Sequence, residues 1–195
     1  MDMGQNHLLK AAKSGNELEA QGIMGSAWIS GVTTTIKCLA LLHIVHSRYY
    51  EFTQTRGESM LPTLNMNNDY VHVSKWYRNG RDCRMGDCIV LHKPNDARKR
   101  VCKRITGMPG DYILVDPSLD DTDAGTTFIK VPMGHVWVTG DNLTHSLDSR
   151  TYNAVPMGLI EGKIVAANDL NKPSWDSQTR SLFGFRWILN NFNDI

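Results

Sequence analysis

The chain has 195 residues, with 21 Lys+Arg set against 20 Asp+Glu, and this length holds one domain with a real core plus an appendage. Balanced charge argues against a polyanion-binding surface, so no nucleic-acid partner is expected. Cys38, Cys83, Cys88 and Cys102 show neither C-x-x-C nor Cys/His ligand spacing, which argues against a zinc site.

Residues 1–22 are polar, lack a strong period and read as an unpacked leader. They hold Asp2, Glu17 and Glu19 and lack the arginine richness of a cleavable presequence. From Ile23 the chain turns apolar, densest over 36–45, and residues 23–48 are long enough to cross a bilayer once. Lys37 opposes this, because a mid-span lysine costs about 2.5–3.5 kcal/mol on insertion scales. Thr33, Thr34 and Thr35 also dilute the span. A membrane anchor is expected, with an amphipathic helix packed on a surface as the alternative. No small-residue cleavage site follows the segment, so it is expected to be retained. Lys10 and Lys13 on one side and Arg48 and Arg56 on the other leave its orientation open.

Residues 52–170 read as a β domain. Short runs with alternation or β-branched enrichment occur at 70–75, 87–92, 100–106, 112–115, 127–131, 135–139 and 160–167. Gly, Pro, Asn and Asp separate them, and the spacing leaves no room for helical crossovers, so antiparallel pairing is expected. Cys83 and Cys88 fit either a disulfide or two small unpaired residues.

Two segments of this domain carry chemistry. Gly57-Glu58-Ser59-Met60-Leu61-Pro62-Thr63 puts a serine on a turn closed by proline. Val101-Cys102-Lys103-Arg104-Ile105 puts a lysine in an apolar strand, where alternation places 101, 103 and 105 on one face and Arg104 on the other. A serine hydroxyl needs a base to become a nucleophile, and a lysine serves as one only when burial keeps its amine neutral. Arg104 cannot substitute, because guanidinium stays protonated. The alternative is a Lys103 that snorkels, its stem covered and its ammonium in water. A Ser-His-Asp arrangement from His135 or His145 with Asp141 or Asp148 is a rival, but Gly57-Glu58-Ser59-Met60-Leu61 lacks the second glycine of a nucleophile elbow.

Ser59-Met60-Leu61-Pro62-Thr63 resembles the nucleophile box of type I signal peptidases. Lys103-Arg104-Ile105-Thr106-Gly107-Met108-Pro109-Gly110-Asp111 resembles their lysine box. Gly140-Asp141-Asn142, followed by Ser146-Leu147-Asp148-Ser149-Arg150, resembles their third box. Three boxes in order are specific where each alone is weak. Thr55-Arg56-Gly57-Glu58, His135-Val136-Trp137-Val138-Thr139-Gly140 and Arg150-Thr151-Tyr152-Asn153-Ala154 are similar to the mitochondrial inner membrane branch.

The resemblance implies a mainly β fold of antiparallel sheets shared with self-cleaving repressors, preceded by one N-terminal transmembrane helix. It implies Ser59 as nucleophile and Lys103 as general base, with Ser146 orienting the amine. Asp148 and Arg150 match a bracing charge pair, Asp141 a structural carboxylate, and Met60 and Cys102 the lining of the pocket for the residue before the cut. Many relatives carry an oxyanion-holding hydroxyl where this chain has Gly57, and a glycine where it has Asn153-Ala154. The function implied is a membrane-anchored serine endopeptidase that removes sorting peptides from precursors bound for the mitochondrial intermembrane space. It would work beside a homologous second subunit, without metal or organic cofactor. A non-catalytic scaffold subunit of the same fold is the alternative.

Asn142-Leu143-Thr144 fits a glycosylation pattern and reads as unused. Residues 171–195, rich in aromatics, read either as packing back on the domain or as a contact for a membrane surface or partner subunit.

Overall fold

The computed structural model describes residues 28–115, 128–175, 177, 180–190 and 192. The leader 1–22 lies outside the described residues. The chain forms two compact units, 1–46 and 47–195.

In the first unit, helix α1 begins, spanning Trp28–Arg48. Its 21 residues extend about 31 Å at 1.5 Å per residue, matching a hydrocarbon core of about 30 Å. The three threonines do not break it. Thr33 and Thr34 donate their hydroxyl protons to the Ser30 carbonyl, and Thr35 donates to that of Gly31, at 2.8–3.0 Å. The polar atoms that diluted the apolar run are thereby satisfied inside the helix.

The second unit is built on one antiparallel sheet. Its strands are β1 (Tyr50–Gln54), β2 (Asp69–Ser74), β3 (Cys88–Lys93), β4 (Asp96–Gly107), β7 (His135–Thr139), β8 (Val155–Pro156), β9 (Ile160–Asp169) and β10 (Arg186–Trp187). They run in the order β1-β2-β9-β3-β4-β7-β8, with β10 also on β9. β5 (Tyr112–Leu114) and β6 (Phe128–Lys130) form a separate hairpin. The main-sheet order places sequence-distant β9 between β2 and β3, so the three segments that matter for chemistry are brought together by long-range pairing.

The sheet has a core on each face. Cys88 and Val90 join Met60, Leu64, Val71, Val73, Ile164 and Ala167 in one. Ile89 and Leu91 join Cys83, Ile105, Val136, Val138, Val155 and Ile160 in the other. Cys83 and Cys88 are thus buried in different cores, and all four cysteines are free thiols.

β1, β8 and β10 had no sequence forecast. β1 is a half-exposed edge strand whose Glu and Gln hide the period, while β8 and β10 are two residues each and owe their existence to their partners. β4 begins at Asp96 rather than 100, because its first half, Asp-Ala-Arg-Lys-Arg, extends into solvent as a charged hairpin with β3. The C-terminal segment packs on the domain. β10 pairs with β9 at Ala167 and Ala166, and Ile188 packs against the first core.

Candidate active site

The turn carrying Ser59 is pinned from below. Met60 and Leu64 are each 2% exposed in the first core, and Leu64 N donates to Met60 O at 2.9 Å. Leu61 N donates to Glu58 O at 3.2 Å, and the Leu61–Pro62 peptide is cis. Gly57 opens the turn at φ 109°, a left-handed conformation that glycine adopts without strain, and its N–H donates to Met66 O at 2.8 Å. Ser59 is left half-buried between an exposed glycine and a buried methionine. Among the described residues its hydroxyl makes no hydrogen bond.

Lys103 does not snorkel. It is only 3% exposed, lying in register opposite buried Ile89 and between Val101 and Ile105 on the second-core face. Its Nζ donates to Ser146 Oγ at 3.1 Å and makes no hydrogen bond to Ser59 Oγ. Burial is the main influence on the amine and lowers its pKa; Asp148 and Cys102 oppose the shift and are outweighed.

Ser146 is flanked on its other side by Asp148, which is 0% exposed. Burial alone would raise that carboxyl. Arg150, the Gly140 N–H and the Ser146 hydroxyl together hold it below the usual carboxylate range. Asp148 Oδ2 accepts from Gly140 N at 3.0 Å, and Oδ1 from Arg150 Nε at 3.0 Å. Arg150 also donates to the Leu143 carbonyl, closing the loop between Gly140 and Ser149.

Gly140 is the point where two boxes touch. A Cβ there would collide with the Ser59 carbonyl and with Ser146 Oγ. The next two residues clamp the nucleophile turn. Asn142 N donates to Ser59 O and Asn142 Nδ2 to Glu58 O, both at 3.1 Å. The sequon nitrogen is therefore already engaged. Asp141 receives Arg104 Nε and Nη2 at 2.7 Å each, along with the Thr63 hydroxyl. Arg104 Nη1 reaches Gly86 O at 2.7 Å. One ion pair thus ties the serine turn, the lysine strand and the third box together.

The glycine missing at 153 is replaced in kind. Asn153 adopts φ 65°, ψ −169°, and its N–H caps the one-turn helix α2 (Ser149–Tyr152) on Ser149 O at 2.8 Å. The Asp148–Arg150 brace survives the substitution.

A cavity of about 310 Å³ opens beside Ser59. Met60, Leu64, Val90 and Cys102 form its apolar floor, and residues 53–57 together with Arg100 its polar walls. Burial pushes the Cys102 thiol up to about 11, so it is a neutral lining group and no nucleophile. Ile105 N donates to Asp87 O and Ile105 O accepts from Gly86 N, so alternation turns the backbone groups of Cys102 and Arg100 to the opposite edge of β4. β7 occupies that edge only from Arg104 to Gly107, which leaves it open along the cavity.

Ser59, Lys103, Ser146, Asp148, Arg150 and Asp141 fall in one neighbourhood, and Met60 and Cys102 line the cavity. The sequence reading assigned no role to Thr63, Arg104 and Asn142. Their signal was membership of the boxes, but a side chain bonding a distant segment leaves no periodic trace. His135 turns to the Met133 carbonyl at 3.1 Å, and neither it nor His145 bonds to Ser59. Among the described residues no group of three or more His, Cys, Asp or Glu could hold a metal ion.

A family model described as signal peptidase, peptidase S26, matches residues 28–122 and 117–168. Mitochondrial inner membrane protease subunit 1 of Saccharomyces cerevisiae is 60% identical over 177 residues, 86% of this chain and 93% of that protein. The protein of the same name from Schizosaccharomyces pombe is 46% identical over 161 residues, 82% and 91% of the two chains. Mitochondrial inner membrane protease subunit 2 of S. cerevisiae is 32% identical over 136 residues, 67% and 74%.

Proposed function

Because this chain belongs to the signal peptidase family, peptidase S26, we propose that its site cuts peptide bonds with Ser59 as nucleophile and Lys103 as general base. The chain is a signal-peptidase-type peptidase of the mitochondrial inner membrane. Its substrates are precursors whose sorting peptides are removed on the intermembrane-space side. The observation that carries the reading is a lysine 3% exposed, its Nζ held at 3.1 Å by a serine of the third box, beside a serine turn that the same box clamps.

The substrate lies extended along the open edge of β4, pairing with the outward groups of Arg100 and Cys102. The side chain before the cut drops onto Met60 and Cys102. Ser59 Oγ attacks the scissile carbonyl while the neutral Lys103 amine takes its proton. Ser146 accepts one amine hydrogen, which aims the nitrogen lone pair away from itself and toward the reacting hydroxyl. The oxyanion meets the Ser59 N–H; the Gly57 N–H is already committed to Met66 O and is no donor. The lysine ammonium then gives its proton to the leaving amine, and the C–N bond breaks to leave an acyl-Ser59. Lys103, neutral again, takes a proton from a water whose oxygen attacks the acyl carbon, then returns that proton to Ser59 Oγ as the ester bond breaks and the acid leaves. Asp148, held below the usual carboxylate range chiefly by Arg150, stays ionised, and both it and Asp141 act by position.

Matches to relatives named subunit 1 and subunit 2 support a heteromeric complex with a homologous second subunit. The test is precursor cleavage by the purified full-length complex carrying Ser59→Ala or Lys103→Met. Loss of at least about 10³-fold is expected for each, the scale seen when a member of a catalytic unit is removed. Turnover unchanged in both variants assigns the chemistry elsewhere and makes this chain a scaffold.

A further inference from the structure

Helix α1 carries a cation that its own chain leaves unanswered. Lys37 lies nine residues after Trp28 and eleven before Arg48. At 1.5 Å per residue its Cα is about 13.5 Å along the axis from one end of the span and about 16.5 Å from the other. A four-carbon stem is much shorter than either stretch, so snorkelling does not bring the ammonium to the headgroups. Every residue of α1 is exposed, and among the described residues Lys37 has no hydrogen bond or ion pair. A charge at that depth is stabilised only by a counter-charge at the same depth, and lipid chains hold none.

The face around Lys37 suits a close neighbour. Ser30, Thr34, Lys37 and Leu41 follow one another at spacings of four, three and four, so they form one stripe along the helix. Ser30 and Thr34 are small, which lets a second backbone approach the half of the stripe nearer Trp28. The Thr34 hydroxyl donates to the Ser30 carbonyl at 2.8 Å, so it needs no acceptor from that neighbour. What the neighbour must supply is set by Lys37, and it is a carboxylate. A second copy of this chain has none to offer, because no Asp or Glu occurs between Glu19 and Glu51. A parallel pair of copies would also bring lysine against lysine. The neighbour is therefore a different chain.

We infer that α1 docks inside the bilayer against a transmembrane helix of a partner subunit that carries one Asp or Glu at mid-span, and that Lys37 selects it. Pairing offsets the cost of both charges in lipid, while a helix without the acid leaves Lys37 uncompensated, so the contact discriminates as well as attracts. The inference rests on the reading of a heteromeric complex and is independent of the chemistry of Ser59 and Lys103.

The probe is a synthetic transmembrane helix of Leu and Ala, equal in length to α1, with Glu, Gln, Leu or Lys at its centre. Its association with the full-length protein is read by fluorescence energy transfer in phosphatidylcholine vesicles. Wild type is expected to bind the Glu helix at least about ten-fold more tightly than the Leu helix, with Gln between them and Lys weakest. Lys37→Arg is expected to keep that order. Lys37→Leu is expected to bind the Glu and Leu helices equally, and Lys37→Glu to prefer the Lys helix. Equal binding of the Glu and Leu helices by wild type, or a preference for Glu that survives Lys37→Leu, overturns the inference. A Gln helix that binds as tightly as the Glu helix overturns selection by charge. Any of these results, with precursor cleavage by the full-length complex still abolished by Ser59→Ala, leaves the peptidase reading intact.

Discussion

Lys103 has to combine two properties that oppose each other in water, a basic nitrogen and no proton on it. Burial between Val101 and Ile105 resolves the conflict by penalising the charged form. The lowered pKa sets the direction of the pH dependence. The competent amine is neutral, so kcat/KM is expected to be full above the folded-state pKa and to fall as pH drops through it. The midpoint of that acidic limb belongs below the ordinary lysine value of about 10.4. Gly140 makes a second residue-scale test. Gly140→Ala pushes a methyl group into the Ser59 carbonyl and the Ser146 hydroxyl, so it is expected to cost about 1–3 kcal/mol of stability and to depress kcat more than it raises KM. Chemical denaturation and steady-state kinetics on the purified variant check both. Asn153 tests backbone strain in the other direction. Its φ and ψ lie where glycine alone is comfortable, so Asn153→Gly is expected to stabilise by about 1 kcal/mol with activity unchanged.

At the scale of elements, the serine turn, β4 and the third box are separate in sequence and are joined by the Arg104–Asp141–Thr63 cluster. Arg104 and Asp141 are 12% and 14% exposed, so removing one leaves a charge stranded in a poorly solvated place. Arg104→Met is expected to destabilise by about 3 kcal/mol, and the Arg104→Met/Asp141→Leu double variant to recover part of that loss. Purely additive losses in a double-mutant cycle would show that the two side chains do not act as a pair. These elements also show what a sequence can disclose. β2, β3, β7 and β9 were legible because their alternation or apolar runs record a buried face. Strand parity placed Lys103 and Arg104 on opposite faces, but it left burial and snorkelling equally open. What decided between them was Ser146, which closes over the amine from a loop far along the chain. The clamps by Asn142 and Thr63 were illegible for the same reason, since each depends on a partner that only the fold supplies.

At the scale of the molecule, 1–46 and 47–195 are separate compact units. A chain beginning at Ser47 is expected to unfold cooperatively within a few degrees of the full-length protein's β domain and to lose flotation with liposomes. The aromatic C-terminus belongs to that domain's stability. Arg186 bonds the buried Asp69 carboxylate and the Thr63 carbonyl, and Asn190 bonds Asp87. Ending the chain at residue 170 is therefore expected to lower the melting temperature by more than 10 °C, a loss of several kcal/mol. Composition marked this segment as unusual, but its partners, Asp69 and Asp87, lie about a hundred residues earlier. The most direct measurement of the whole account is single-turnover cleavage of a precursor by the full-length complex across pH, for wild type and Lys103→Met. The expected wild-type rate falls ten-fold per pH unit below a midpoint that lies under the ordinary lysine value, and the variant shows neither that limb nor a comparable rate. A midpoint at or above 10.4, or the same profile in the variant, would contradict a buried neutral amine as the base.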